Sequence, residues 1–96
     1  MVTWVIYDIS EDKIRACVAK LCQIAGLYRV QESIFLGELG HNRRDELYKQ
    51  FADLIDEGTD KVYISPICQD DFEKIMILGE GFDHELIANQ KKLLLF

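Results

Sequence analysis

Ninety-six residues with only one proline, two histidines and three cysteines leave few places for several common kinds of chemistry. Six glycines and one proline set against 49% hydrophobic residues exclude a disordered or low-complexity chain, which lacks the apolar content to build a core. No apolar run approaches the roughly 18 residues of a membrane span. The short apolar run at the N-terminus has no basic segment before it, so neither a signal peptide nor a membrane partner is expected, and the cytoplasm is the expected location. The cysteines are odd in number, no C-x-x-C pair occurs, and Cys17 and Cys22 sit about 140° apart around an expected helix. Disulfides and a Cys/His zinc site are therefore not expected, and the thiols should be reduced and mostly buried.

The familiar signatures are missing too. No G-x-x-x-x-G-K-[ST], G-x-G-x-x-G or G-x-S-x-G occurs, so the nucleotide and acyl-transfer templates fail. His41 and His84 fall in an expected loop and tail with no nucleophile nearby in sequence, and read as surface residues. The aromatic strand of ferredoxin-like RNA-binding modules is absent. A net charge of −6 at pH 7 opposes phosphate binding at first sight. The charge is unevenly spread, however. Residues 1–48 carry six Lys/Arg against seven Asp/Glu, and residues 49–96 carry five against ten, so the first half can still present a locally basic face.

What the sequence does contain is organised around Val2 to Ser10, VTWVIYDIS. Its β-branched and aromatic residues read as a strand buried on both faces, running into the carboxylate of Asp8. A polar group placed there is held rigidly at the edge of a core. It is the best chemical candidate in the chain, although spacing alone favours a structural role such as accepting backbone N–H bonds.

Ser10 reads as an N-cap with Glu11 and Asp12 in the first turn. Ile14, Cys17, Val18, Leu21, Cys22 and Ala25 then form one apolar helix face, and Gly26 gives a left-handed stop. Arg15 flanks the stripe, where it can either reach back toward the end of the first strand or stand in solvent. Leu27 to Leu39 is rich in strand formers and too long for one straight strand. A bent strand or tight hairpin is expected there, breaking near Gln31 to Ser33. Asn42 is placed to cap a second helix whose apolar face is Leu47, Tyr48, Phe51, Ala52, Leu54 and Ile55, ending at Gly58. Arg43 and Arg44 in its first turn read as a solvated pair or as phosphate contacts. Lys61 to Ile67 is a strand stopped by Pro66, Gln69 to Asp71 a polar turn, and Glu73 to Leu78 a last short strand.

The expected fold class is therefore α+β, a ferredoxin-like β-α-β-β-α-β domain over residues 1–81 that includes one additional strand. Two helices cover one sheet face, and the other face and the additional C-terminal strand need burial elsewhere. A homodimer made by exchanging that strand is the expected solution. Residues 82–96 form a tail ending in LLLF, an apolar end that a partner is expected to cover.

Four stretches together resemble the CRISPR-associated Cas2 family: YDIS at Tyr7 to Ser10, GLYRVQESIFLGEL at Gly26 to Leu39, VYISPIC at Val62 to Cys68, and ILGEG at Ile77 to Gly81. The resemblance implies a ferredoxin-like homodimer working with the Cas1 integrase on duplex DNA in spacer acquisition. It also implies a divalent-metal-dependent endonuclease activity on RNA or DNA. In that reading Asp8 is the catalytic residue and metal ligand, facing its mate across the two-fold axis, and one magnesium or manganese ion is shared there. Tyr7, Ser10, Arg15, Arg29, Ser33 and Phe35 fall near the family's proposed site, and Arg43 and Arg44 join Arg15 and Arg29 as expected nucleic-acid contacts. Two alternatives are a non-catalytic dimeric scaffold for integrase and duplex DNA, and a toxin-type ribonuclease on the same fold.

Overall fold

The computed structural model describes residues 1–76, 78 and 79 of the chain. The elements follow in the order β1 (Val2–Asp8), α1 (Asp12–Ile24), β2 (Tyr28–Gln31), β3 (Ile34–Glu38), α2 (His41–Leu54), β4 (Lys61–Ile67) and a short α3 (Gln69–Glu73). One four-stranded antiparallel sheet has the order β2-β3-β1-β4, so β1 is central and the β-α-β-β-α-β expectation is met. The chain doubles back between Gln31 and Ile34, within the expected break, and a register shift between Arg29 and Gln31 bulges β2 at Val30.

Because side chains alternate along a strand, β1 sends Val5 and Tyr7 to one face and Val2, Trp4, Ile6 and Asp8 to the other. The first set joins Val18, Cys22, Leu27, Phe35, Leu47 and Phe51 in the core between sheet and helices. Val2 belongs to a second cluster with Val30, Leu36 and Phe72 on the outer face, against which Trp4, Ile34, Ile67 and Ile75 pack in part. The outer face is only partly covered: Trp4 is half-buried and Ile6 is 40% exposed, so within one chain β1 is not buried on both sides as expected.

Helix α1 ends as its sequence requires. Gly26 adopts φ +89°, its N–H donates to Gln23 O at 3.0 Å and Leu27 N–H donates to Cys22 O at 3.0 Å, a Schellman closure that needs a residue without Cβ strain. Gly37 serves close approach instead: a Cβ there would lie 3.0 Å from Leu27 Cδ2 and 3.3 Å from Leu27 Cα.

Several expectations give way to tertiary context. Glu11 and Gly40, not Ser10 and Asn42, occupy the N-cap positions, and neither helix has a side-chain cap. The Ser10 N–H is taken by Asp60, which leaves the serine outside the helix start. Helix α2 stops at Leu54 rather than Gly58, and Tyr48 and Ala52 of its expected apolar face point to solvent. Of the three thiols only Cys22 is buried; Cys17 and Cys68 are exposed, because the buried stripe of α1 runs through Val18, Ala19 and Cys22. Pro66 does not stop β4, since an edge strand tolerates a missing N–H.

The largest departure is at the C-terminal end of the described chain. Gln69–Glu73 is helical and Lys74 turns, where a polar turn and a strand starting at Glu73 were expected. Asp70 and Asp71 sit in the first turn, where the helix dipole favours them, and the helical turn drives Phe72 fully into the outer-face cluster. Ile75, Met76 and Leu78 have no regular structure. Ile77 and the expected tail over 82–96, including Leu93 to Phe96, lie outside the described residues.

Candidate functional site

The site is built on the C-terminal end of β1. Tyr7, one residue before the carboxylate, is buried and fixed three ways. Its N–H donates to Ser33 O at 3.1 Å, its hydroxyl donates to Glu32 O at 3.2 Å, and its ring stacks on Phe35 with centroids 6.3 Å apart. These contacts tie the end of β1 to the β2–β3 turn and so fix the backbone that presents Asp8. Tyr7, Phe35 and Ser33 therefore support the site from within the protein rather than lining it.

Asp8 itself is exposed and lies on the outer face by alternation from Trp4 and Ile6. No hydrogen bond or ion pair engages its carboxylate among the described residues. The structural reading, in which Asp8 accepts backbone N–H groups, thus finds no support. That role belongs to Asp60, which the sequence did not single out. Asp60 is almost fully buried and accepts from Asp56 N–H at 3.0 Å, Ser10 N–H at 3.2 Å and the Thr59 hydroxyl at 3.4 Å. The backbone N–H groups of Asp56 and then Ser10 hold its carboxyl below the ordinary value of 3.8, against the opposing effect of burial. Asp60 thereby clamps the loop after Asp8 to the loop before β4.

The expected basic residues divide. Arg15 does reach back to the end of β1: its Nη1 donates to Ile9 O at 3.1 Å and Ser10 O at 3.5 Å, and Nη2 pairs with Asp12. Arg29 stands on the helix-facing side of edge strand β2, its guanidinium 5.0 Å above the Phe35 ring, where its charge also acts on Cys22. Asp8 faces the other way. Arg43 and Arg44 lie in the first turn of α2, which starts beside Met1, since Leu39 N–H donates to Met1 O at 3.2 Å. That is the opposite end of β1, about 20 Å from Asp8 at the usual strand rise. Arg43 meets Glu46 at 3.4 Å and Arg44 donates to Leu39 O at 3.2 Å. The structure thus gathers Asp8, Ser10, Arg15 and Ser33 at one end of the sheet, sets Tyr7, Arg29 and Phe35 on the helix-facing side, and leaves Arg43 and Arg44 remote.

A profile described as CRISPR associated protein Cas2 matches residues 1–75. The chain belongs to the CRISPR-associated Cas2 family. It is 45% identical over 87 residues to a protein of Desulforudis audaxviator named CRISPR-associated endoribonuclease Cas2, covering 88% of this chain and 82% of that one. A similarly named protein of Archaeoglobus fulgidus is 45% identical over 69 residues, 72% of this chain and 73% of its own. Among solved structures, Streptococcus pyogenes Cas2 at pH 6.5 aligns with a TM-score of 0.71 at 27% identity, covering 82% of this chain and all of that one. A hypothetical protein of Thermus thermophilus aligns at 0.69 with 30% identity, covering 83% and 92%. The family and the ferredoxin-like fold expected from the sequence are both met.

The donor set of one Cas2 chain can be tested against a divalent metal. Magnesium commonly takes one or two carboxylates and keeps several waters. Asp8 offers one uncommitted, exposed carboxylate, and Asp60 is committed to three donors. Among the described residues no three His, Cys, Asp or Glu side chains gather as a metal-holding group. One chain therefore offers a single free carboxylate here, Asp8, of the kind a hard cation takes.

No helix among the described residues is long and apolar enough to cross a membrane. A shallow groove of about 520 Å³ on the outer face, the face that also carries Asp8, is bordered by Trp4, Ile6, Ile34, Ser65, Ile75 and Met76. A cleft of about 730 Å³ between α2 and β4 includes Asp60 and Lys61 but not Asp8.

Proposed function

We propose that this Cas2 chain works as a homodimer in CRISPR spacer acquisition, together with the Cas1 integrase, and is a divalent-metal-dependent endonuclease acting on RNA or DNA. The observation that carries the catalytic part is the uncommitted carboxylate of Asp8, presented on an open sheet face by a backbone that Tyr7, Asp60 and Arg15 hold in place. The endoribonuclease names of the relatives favour a phosphodiester substrate.

In the proposed dimer the outer faces meet, the groove beside Trp4 and Ile6 is filled, and the two Asp8 carboxylates approach the two-fold axis. A cation between them would offset their mutual repulsion. Magnesium or manganese, when bound, would supply charge stabilisation at the phosphate and a more acidic water. The protein's own part is to orient. Strand β1 fixes the backbone that carries Asp8 at the edge of the sheet, and Arg15 stiffens the loop behind it through Ile9 O and Ser10 O.

The scaffold alternative draws on the same outer face, whose apolar groove suits a second subunit whether or not Asp8 does chemistry. One substitution separates the two readings. Asp8→Asn should abolish cleavage of a single-stranded RNA and weaken manganese binding by calorimetry, because a neutral amide is a poor ligand for a hard cation. Spacer integration is measured in parallel with the same variant. Equal metal binding and cleavage in both proteins would remove Asp8 from the chemistry; intact integration without cleavage would favour the scaffold.

A further inference from the structure

In the β1–β4 ladder the residue directly opposite Asp8 is Lys61. Partners in an antiparallel register project to the same face with Cβ atoms about 4.5–5.5 Å apart. Lys61 is exposed, and no ion pair within reach engages its ammonium among the described residues, Asp8 included. Two opposite charges therefore sit side by side on the open face of the sheet, neither consumed by the other.

The remaining cations at this end are poorly placed to share the work. Arg15 gives its guanidinium to two carbonyls and Asp12, and Lys13 belongs to α1, on the covered side of the sheet. The preceding residue, Asp60, is anchored by Asp56, Ser10 and Thr59, so the backbone that carries Lys61 is fixed to the same loop that follows Asp8. A strand position is also a stiffer mount than a loop. A flexible lysine stem on that mount can swing its ammonium over the space beside Asp8 without moving the backbone.

We infer that Lys61 is a substrate-positioning residue that contacts a backbone phosphate of the nucleic acid beside Asp8. The inference rests on the phosphodiesterase reading above, and deepens it by naming the cation that would hold the strand. It does not require that cleavage occur, since phosphate contact precedes any chemistry. Arg43 and Arg44, at the far end of β1, cannot reach the same phosphate.

The test measures binding rather than turnover. A fluorescently labelled single-stranded RNA is titrated with the full chain carrying Asp8→Asn, with and without Lys61→Gln, between about 50 mM and about 200 mM salt. Loss of one phosphate contact lowers the slope of log affinity against log salt by about 0.7 for a single strand. Carried from about 1 M down to about 50 mM salt, that slope corresponds to roughly an eightfold loss of affinity. Lys61→Arg, which keeps the charge, should restore both slope and affinity, whereas a purely structural role would alter neither the slope nor respond to charge. In the protein with native Asp8, Lys61→Gln should raise KM more than it lowers kcat. If RNA binds and the slope is unchanged by Lys61→Gln, the assignment of Lys61 is overturned while the nuclease reading stands. If neither RNA nor duplex DNA binds the parent chain at low salt, the nuclease reading falls and Lys61 falls with it.

Discussion

Phe72 offers the most direct check on how the outer face is built. It is fully buried, although α3, the element that carries it, is only five residues long. It packs with Val2, Val30 and Leu36, three residues from three different strands. Replacing it with alanine removes an aromatic ring from a site whose walls are sheet side chains and cannot collapse far. Phe→Ala changes in such settings cost about 3–5 kcal/mol. We expect the lower part of that range, about 3–4 kcal/mol, because Trp4 and Ile75 beside it are only partly buried and can shift inward. For a domain of this size 1 kcal/mol moves Tm by about 4–8 °C, so Phe72→Ala should melt roughly 12–30 °C lower. The assay is urea unfolding followed by circular dichroism at fixed protein concentration, with Tyr48→Ala as the control. Tyr48 is 67% exposed, and its loss should stay within about 0.5 kcal/mol. Phe72→Leu should recover much of the loss. A Phe72→Ala variant within about 1 kcal/mol of wild type would show that residues 69–73 do not plug the outer face.

Two further outcomes follow from titratable groups. Burial pushes the Cys22 thiol up to about 12, with the Arg29 charge acting in the opposite direction. Folding therefore keeps this thiol neutral: its contribution to stability is intact below about pH 9 and is lost as pH rises toward 12, and at about pH 8 Ellman's reagent should titrate Cys17 and Cys68 rapidly while Cys22 reacts only on unfolding. The Asp60 carboxyl is held below 3.8, so its contribution is present above that value and disappears as pH falls through the depressed one. Asp60→Asn should flatten that acid limb in a pH series of urea midpoints, and an unchanged limb would place the acid sensitivity elsewhere.

Much of this architecture could be read from the residues because the signals were local. The strand of Val2 to Asp8, the αL stop at Gly26 and the break between Gln31 and Ile34 depend on neighbours a few positions away. The reach of Arg15 to the end of β1 is likewise a short-range event, six residues back to Ile9. What escaped depended on distance. Asp60 accepts from Ser10, fifty positions away, and a turn such as DEGTD gives only the local half of that pattern, the bonds to Asp56 and Thr59. Lys61 gains its interest from register, and a one-residue slip in β4 would have put it on the other face. Helix α3 escaped because its cause is the burial of Phe72 in a cluster drawn from three strands. Glu73 to Leu78 has a strand composition, but composition cannot reveal that Phe72 is already anchored one residue earlier.

The division of the expected site between two faces also bears on why a second copy matters. Phe35 and Tyr7 point into the helix-covered core and Arg29 stands over Phe35, while Asp8 points away from all three. Among the described residues nothing closes a pocket around this carboxylate: Tyr7 and Phe35 support it from beneath. On the outer face Asp8 has Lys61 beside it and a groove bordered by Trp4, Ile6 and Ile34, which is apolar surface with one acid and one base at its end. Apolar area of that kind is costly to leave in water, and in the proposed dimer a copy of the same face would cover it while bringing a second Asp8 and a second Lys61. The added lysines matter electrostatically. Two carboxylates alone at a two-fold axis repel, whereas two Asp8 and two Lys61 sum to zero charge, so the proposed dimer can close without a cation and still leave carboxylate oxygens for one. In that arrangement, association through the sheet faces and phosphate chemistry at their edge are consequences of the same alternation along β1.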